Sequence, residues 1–553
     1  MVRKQYSLGL DFGTESVRCL AVDIDSGEEK AMAIQEYSDG VITVQLPNTI
    51  FQLEADWALQ NPRDWLDSMR EVVAKILRDG AINSWEIASL GVSFTSSTIL
   101  PTTNAGTPLC FLSRWKSEPN AWPKLWKHHA AQPEADLINE HAQKEKEPWL
   151  KHYGGIISSE WLFPKALQMH KESPECFKAS KRIIEAGDWI IWKLVGQEKR
   201  SMCQAGYKAL WNSEDGYPSQ SFLEKVNKGF GQVLNKIGGK HFPIGTRAGG
   251  LTSEMASQLG IPPGIPVATG IIDAHSAAIA SGIDVQGRMI MVMGTSTCHL
   301  IVNKKEVFAE GIAGIVKDGI LPGYYAYESG QAAVGDIFAW VTKLGLPEKY
   351  YKESKEKEIS IHELLLRKSV DQKVGQHGLL ALDWLNGNRT VLMNSDLSGV
   401  LVGLTLNTKP EDIYRAMIEA TAFGTKVIIE NYEKNGIKVE EICACGSLVK
   451  NSMLLQIYSD ITGKTIKVAA SEQTTALGAA ILGVIASEQE CKDSGDIENV
   501  IAKMTKPPQA VYQSNQNNHT RYKALYEKYT QLHDYFGREI PSVMKELKFY
   551  SDK

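Results

Sequence analysis

Several things are scarce in this sequence. Cysteine occurs eight times in 553 residues (Cys19, Cys110, Cys176, Cys203, Cys298, Cys443, Cys445, Cys491), and no two stand at the C-x-x-C spacing of a zinc or redox site. The cysteines read as reduced thiols, Cys443 and Cys445 as small residues on one face of a strand. No apolar run approaches the ~20 residues of a bilayer span. The stretch Met1–Asp11 has two basic residues but lacks the apolar core of a secretory signal, so a cytoplasmic protein is expected. Neither charge sign dominates: 60 Lys and Arg face 65 Asp and Glu, a net −5, which gives no electrostatic basis for a nucleic-acid or membrane partner. A Walker motif and a G-x-G-x-x-G in a fitting context are both missing, which disfavours P-loop and Rossmann enzymes.

What is present is an ordinary globular composition, 43% hydrophobic and 23% charged, over a length that predicts two or more domains. Apolar and polar residues alternate over Tyr6–Leu10 and Val17–Val22, with turns at Asp11–Glu15 and Asp25–Gly27, which predicts a β-meander. Asn61-Pro62-Arg-Asp64 starts an amphipathic helix through Trp65, Met69, Val72, Val73, Ile76 and Leu77, and a buried strand follows at Ile87–Phe94. Strands alternating with helices indicate an α/β architecture. A Trp-, Lys- and His-rich stretch from Trp115 to Tyr153, with helical patterns at Trp161–His170 and Arg182–Leu194, reads as an insertion. Beyond the breaker Ile261-Pro-Pro-Gly264 a strand is expected at Ile265–Ile272 and a helix at Ala274–Ser281. The Gly- and Ala-rich run Ala476–Ala486 suits a tightly packed buried helix. Tyr522, Leu525, Tyr526, Tyr529 and Leu532 give an amphipathic helix for packing on the second lobe or on another subunit of a homo-oligomer.

Part of this layout occurs twice. Arg288–Met293, the turn Gly294-Thr-Ser-Thr297 and the apolar run to Val302 repeat the first hairpin. Gly13 falls on Gly294, Thr14 on Thr295, Ser16 on Thr297, Leu20 on Ile301 and Leu10 on Met291, so a duplicated lobe is inferred. Asp11 falls on Val292, so one copy alone keeps the carboxylate. A Gly-Thr turn offers N–H and O–H donors to phosphate oxygens, although a single one is usually a plain β-turn. Two facing ones could clamp a nucleotide, with Asp11 a candidate metal ligand and Arg18 a cation for phosphate charge. The segment Ile442–Asn451 is a strand, a Gly-Ser loop and a helix start, which is either an anion site or an ordinary βα turn. Asp273 stands where a strand ends and a helix begins. It fits both a helix N-cap and an acceptor for a hydroxyl proton in phosphoryl transfer, roles that are compatible. His275 reads as a packed neighbour.

These residues resemble a known family. Leu8–Arg18, Gly270–His275, Gly294–His299 and Cys445–Asn451, in that order, are similar to the motifs of the FGGY carbohydrate kinases. Gly399–Leu404 with Asp412–Glu419 resembles that family's C-terminal signature. Within the family the similarity is to kinases of L-ribulose, through Asp11–Arg18, Leu125–Ala130, Tyr153–Trp161, Ala205–Lys208 and Gly294–His299. The segment Ser159–Lys165 departs from the family's other, N-terminal signature.

The resemblance implies two ribonuclease H-like, actin-like ATPase lobes with a cleft between them and a helical insertion in the first. Residues 1–282 would be the sugar-binding lobe, with the insertion at about 114–260, and 283–553 the ATP-binding lobe. Asp273 would be the general base and Asp11 would hold Mg²⁺, directly or through water. Gly13, Thr14, Ser16, Arg18, Gly294 and Thr295 would surround the phosphates of ATP, with Gly446, Ser447 and Asn451 near the nucleoside and Gly335 another nucleotide-contacting glycine. Ser96, Lys208 and Glu328 would join Asp273 at the sugar, although Lys and Glu are more often solvated surface residues. Trp126 and Lys127 could line the same cleft or simply pack. The expected reaction is transfer of the γ-phosphoryl group of MgATP to O5 of L-ribulose in L-arabinose catabolism. The alternatives are a kinase of D-ribulose, xylulose or ribitol, and a non-catalytic nucleotide switch of the actin or Hsp70 type.

Overall fold

The computed structural model describes residues 4–488 and 494–551; Cys491 lies outside the described residues. Its framework is two seven-stranded sheets of matching topology. In the first, Glu29–Glu36, Ser16–Asp23 and Tyr6–Phe12 form the expected antiparallel meander, and Ile87–Phe94 then runs parallel to Tyr6–Phe12. The second repeats this with Tyr325–Gln331, Thr297–Asn303 and Arg288–Met293 antiparallel, followed by Glu441–Cys445 and Thr465–Val468 in parallel. The duplication seen in the Gly-Thr turns is therefore a duplication of whole sheets.

The alignment of the two hairpins needs one correction. Phe12 pairs with Val17 across the first turn, whereas Met293 pairs with Thr297 across the second, which is one residue shorter. Ser16 therefore corresponds to Ser296 and Leu20 to Leu300, and the counterpart of Arg18 is Cys298. Burial agrees: Leu20 and Leu300 enter the same apolar core, while Ile301 faces another.

Local chemistry accounts for the elements around the sheets. Asn61 Oδ1 accepts from Arg63 N at 3.0 Å and Pro62 opens the helix Pro62–Asp79, as anticipated. That helix buries Trp65 edge-on against Phe94, with ring centroids 5.1 Å apart; covering one such side chain contributes roughly 1.5–3 kcal/mol. Arg182–Leu194, read as helical throughout, begins instead as a strand, Arg182–Glu185, paired with Ile99–Thr102. Its β-branched Ile183 and Ile184 favour that pairing, and the helix starts at Ala186. The expected strand Ile265–Ile272 is interrupted: Pro266–Ala268 and Ile271–Ile272 flank Thr269, whose N–H is drawn off to Thr246 O. The stretch 114–260 holds its own apolar core, but the helix Ala186–Val195 and the strand Arg247–Gly250 within it belong to the first lobe's core and sheet.

The two sheets face each other across the helices Asp273–Ala280 and Thr474–Ser487, which share one core. The second of these, the Gly- and Ala-rich run, lies directly on the first sheet. A Cβ on Gly9 would stand 1.8 Å from Ala476 O, and one on Gly91 1.8 Å from Ala479 O, so backbone meets backbone there. The C-terminal helix Gln516–Asp534 packs on the second lobe, where Tyr522 Oη donates to Glu419 at 2.8 Å. Among the described residues no helix is long and apolar enough to cross a membrane.

Candidate active site

The parallel strands bring three positions side by side: Asp11 is in register with Ser93, and Ser93 with Ile271. Asp273 follows two residues later at the start of its helix, so both carboxylates sit at the C-terminal ends of parallel strands, where α/β sites form. Asp11 is buried. Its Oδ1 accepts from Ser93 Oγ at 2.9 Å and its Oδ2 from Thr475 Oγ1 at 2.6 Å, with Arg18 Nη1 at 3.4 Å. Ser93 and Thr475 were not anticipated. Thr475 opens the helix that covers the first sheet, 464 residues from Asp11, a distance no local pattern bridges.

Asp273 is the first residue of its helix; the cap position is Ile272, without a side-chain bond. The N-cap role is thus not the one realised, although Asp273 Oδ1 accepts from Ala274 N at 2.7 Å. Burial, with the negative charge of Asp11 second, pushes the Asp273 carboxyl up to about 7. A group of that pKa accepts a proton readily near neutral pH.

Beside Asp273 the structure joins two of the expected sugar residues. Lys208 Nζ donates to both oxygens of Glu328, at 2.9 and 3.1 Å, and both side chains are buried. Burial alone would raise the Glu328 carboxyl, but Lys208, aided by His275, holds it well below the usual range. His275 is the packed neighbour anticipated. Its ring lies 4.3 Å from that of Tyr207, with Nε2 3.1 Å from Glu328 Oε2 and Nδ1 3.1 Å from Cys203 Sγ. Burial, the largest influence, lowers the pKa of the ring against the opposing pull of Glu328. Ser96 sits half-buried in the loop after Phe94, next to Ser97 with its positive φ of 54°.

At the mouth of the cleft the two Gly-Thr turns close alike, Gly13 N donating to Ser16 O and Gly294 N to Ser296 O, both at 2.9 Å. Gln60 Nε2 holds Thr14 O at 2.7 Å, and Trp126 Nε1 donates to Thr14 Oγ1 at 3.2 Å, so Trp126 supports the first turn. Gly335 and Gly446 both press on the second hairpin. A Cβ on Gly335 would stand 2.7 Å from Gly294 O, and one on Gly446 2.3 Å from Met293 O; Gly446 also has φ of 98°. Thr295, Gly446 and Ser447 remain exposed. Asn451 is engaged with its own helix, its Oδ1 accepting from Leu454 N at 3.0 Å. Arg18, about a third exposed, points at Asp11 rather than outward.

The two Gly-Thr turns thus stand at matching places in a duplicated sheet, with Asp11 beside the first, and sequence comparison gives the family. Residues 6–280 match the N-terminal domain, and residues 289–487 the C-terminal domain, of the FGGY family of carbohydrate kinases. The chain belongs to this family. It is 45% identical to the ribulokinase of Geobacillus thermodenitrificans over 99% of this chain and 98% of that one, and 44% identical to the ribulokinase of Halalkalibacterium halodurans over 98% and 97%. Among solved structures the fold matches xylulose kinase from Rhodospirillum rubrum, with a TM-score of 0.78 at 19% identity over 96% and 99% of the two chains. It also matches Plasmodium falciparum glycerol kinase with ADP, with a TM-score of 0.74 at 19% identity over 96% and 98%. This FGGY kinase is thus a phosphotransferase that uses ATP and a sugar as substrates. The non-catalytic switch considered above is set aside.

Proposed function

We propose that this FGGY kinase transfers the γ-phosphoryl group of ATP to O5 of L-ribulose, giving L-ribulose 5-phosphate for L-arabinose catabolism. The observation that carries the reading is the near full-length likeness to proteins named ribulokinase, and the polar cluster of Lys208, Glu328 and Asp273 supports it. The first lobe, joined by Glu328 of the second, would hold the sugar, and the second lobe the nucleotide. Lys208 and Glu328, already paired, keep donor and acceptor capacity for sugar hydroxyls. Asp273 takes the proton of the attacking hydroxyl as the phosphorus–oxygen bond forms and ADP leaves. The Gly-Thr turns, with Gly335, Gly446 and Ser447 beside the second, cradle the nucleotide. Catalysis is then mainly positioning and charge neutralisation.

A divalent ion fits the donor set in one way. Asp11 Oδ1 takes a single hydrogen bond and keeps a free lone pair, and Asp273 adds nearby negative charge. Among the described residues no group of three or more acidic, His or Cys side chains forms a cage. Asp11 would therefore hold Mg²⁺ through water as part of MgATP, where the ion neutralises phosphate charge. A kinase of this kind works where ATP is, in the cytoplasm.

The test is ADP release at fixed MgATP across L-ribulose, D-ribulose, both xyluloses, ribitol and glycerol, for wild type and Asp273→Ala. Strong stimulation by L-ribulose that vanishes in the variant is expected. Greater stimulation by another sugar would overturn the assigned substrate, and stimulation that survives the substitution would overturn the assigned base.

A further inference from the structure

One cation in the cleft has no part in the account above. Arg389 belongs to the second lobe, in the loop between the strands Leu380–Leu382 and Val400–Val402. Its side chain crosses to the first lobe, where Nη2 stands 3.7 Å from Glu160 Oε2. That is ion-pair range, longer than a hydrogen bond. A guanidinium carries five N–H donors, so most of this one's capacity is unspent, and 33% of its side-chain surface is exposed. The stem of Arg389 lies over Gly330: a Cβ there would stand 3.6 Å from Cδ and 3.7 Å from Nη1. Gly330 follows Glu328 by two residues on the same strand, hence on the same face. Arg389 thus stands one step along from the Lys208–Glu328 pair. Burial would lower its pKa, but Glu160 and Glu328 together raise it, so the charge is permanent.

Both partners are held from behind. Gly330 N donates to Thr390 Oγ1 at 3.1 Å, which fixes the Arg389 loop to the strand carrying Glu328. Ser97 Oγ donates to Glu160 O at 2.6 Å, which fixes Glu160 to the loop carrying Ser96. The contact therefore joins the two walls of the sugar cleft, and it holds only while the lobes are together.

Building on the sugar-kinase reading, we propose that Arg389 is a further ligand to the sugar from the second lobe, beside Glu328. Its guanidinium pairs with Glu160 and donates to a ketopentose hydroxyl, so that sugar binding and lobe closure stabilise each other. Glu328 gives the second lobe an acceptor at the sugar, but a carboxylate has no hydrogen to donate. A planar, pre-organised donor fork beside it supplies the donor and narrows the freedom of the acceptor hydroxyl, and a closed cleft keeps water from competing as acceptor.

The test measures ADP and sugar phosphate separately for wild type, Arg389→Met, Arg389→Lys, Glu160→Gln and the Arg389→Met/Glu160→Gln double variant. Arg389→Met is expected to raise the sugar KM at least tenfold and to form ADP in excess of sugar phosphate. Arg389→Lys should recover part of the loss. The double variant should lie within twofold of Arg389→Met, because the second change removes a partner already lost. A sugar KM within twofold of wild type in Arg389→Met, or effects that multiply in the double variant, would overturn the proposal. If Arg389→Met melts more than 5 °C below wild type, the comparison rests on Arg389→Lys, for which the same KM criterion decides. A wild type stimulated by a sugar other than L-ribulose would refute the substrate assignment alone, and the KM comparison on that sugar would still judge Arg389. A wild type that no sugar stimulates would overturn both.

Discussion

Replacing Asp273 by Asn separates what this carboxylate does for the reaction from what it costs the fold. Burial first, and the charge of Asp11 second, move its pKa from 3.8 to about 7. Between those values the folded protein keeps the proton and the unfolded chain has released it, so stability falls as pH rises from about 4 to about 7 and stays lowered above that. The loss comes to roughly 4 kcal/mol at pH 8 and to under about 2 kcal/mol at pH 5. An amide never ionises, so Asp273→Asn escapes the loss while still accepting from the Ala274 N–H. In calorimetry the variant should melt above wild type at pH 8, with the gap shrinking by about half or more towards pH 5. Sugar phosphorylation at pH 8 should fall about 10²- to 10⁴-fold, the usual worth of a general base. Wild-type kcat/KM should itself drop about tenfold per pH unit below about 7. A variant less stable than wild type at pH 8, or a wild-type acid limb with its midpoint below pH 5, would refute the reasoning.

Two further outcomes follow from the geometry. Lys208→Met leaves the Glu328 carboxylate buried without its ammonium partner, which should cost roughly 3–5 kcal/mol in denaturant unfolding; adding Glu328→Gln should restore part of it, and a single variant as stable as wild type would contradict the buried pair. Gly335→Val places a branched side chain against Gly294 O, which a Cβ would already approach to 2.7 Å, so the ATP KM should rise by about tenfold or more with unchanged circular dichroism, and an unaltered ATP KM would remove Gly335 from the nucleotide site.

Much of the framework was legible because it rests on local signals. The meander, the Asn61-Pro62 helix start, the strand at Ile87–Phe94 and the loop and helix around Gly446 and Asn451 all carry period, cap or turn chemistry within a few residues. What failed was decided at a distance. Arg182–Glu185 is a strand because Ile99–Thr102 lies beside it, and the second Gly-Thr turn is one residue shorter than the first because Thr297 pairs directly with Met293. The shorter turn has no signature in its own segment, and Ile183 and Ile184 suit the apolar face of a helix or a strand until the partner strand is known. The candidate residues show the same division. Asp273 was legible from its place between a strand and a helix, Lys208 and Glu328 through a family resemblance, and the structure adds that Lys208 and Glu328 neutralise one another. Ser93 and Thr475 were missed because single hydroxyls in apolar strands and helices look like packing.

Thr475 shows why the division at residue 282 has limited physical meaning. Its helix comes from the second half of the chain, yet it rests its backbone on Gly9 and Gly91 of the first sheet and delivers a hydroxyl to Asp11. Gly478 of the same helix meets Ser276 O, which a Cβ would approach to 1.9 Å, so this helix and the one beginning at Asp273 cross with almost nothing between them. A rigid crossing of that kind links the carboxylate next to the nucleotide turn with the carboxylate next to the sugar. Backbone packed against backbone leaves no room for slip there, which holds Asp11 and Asp273 at a fixed spacing.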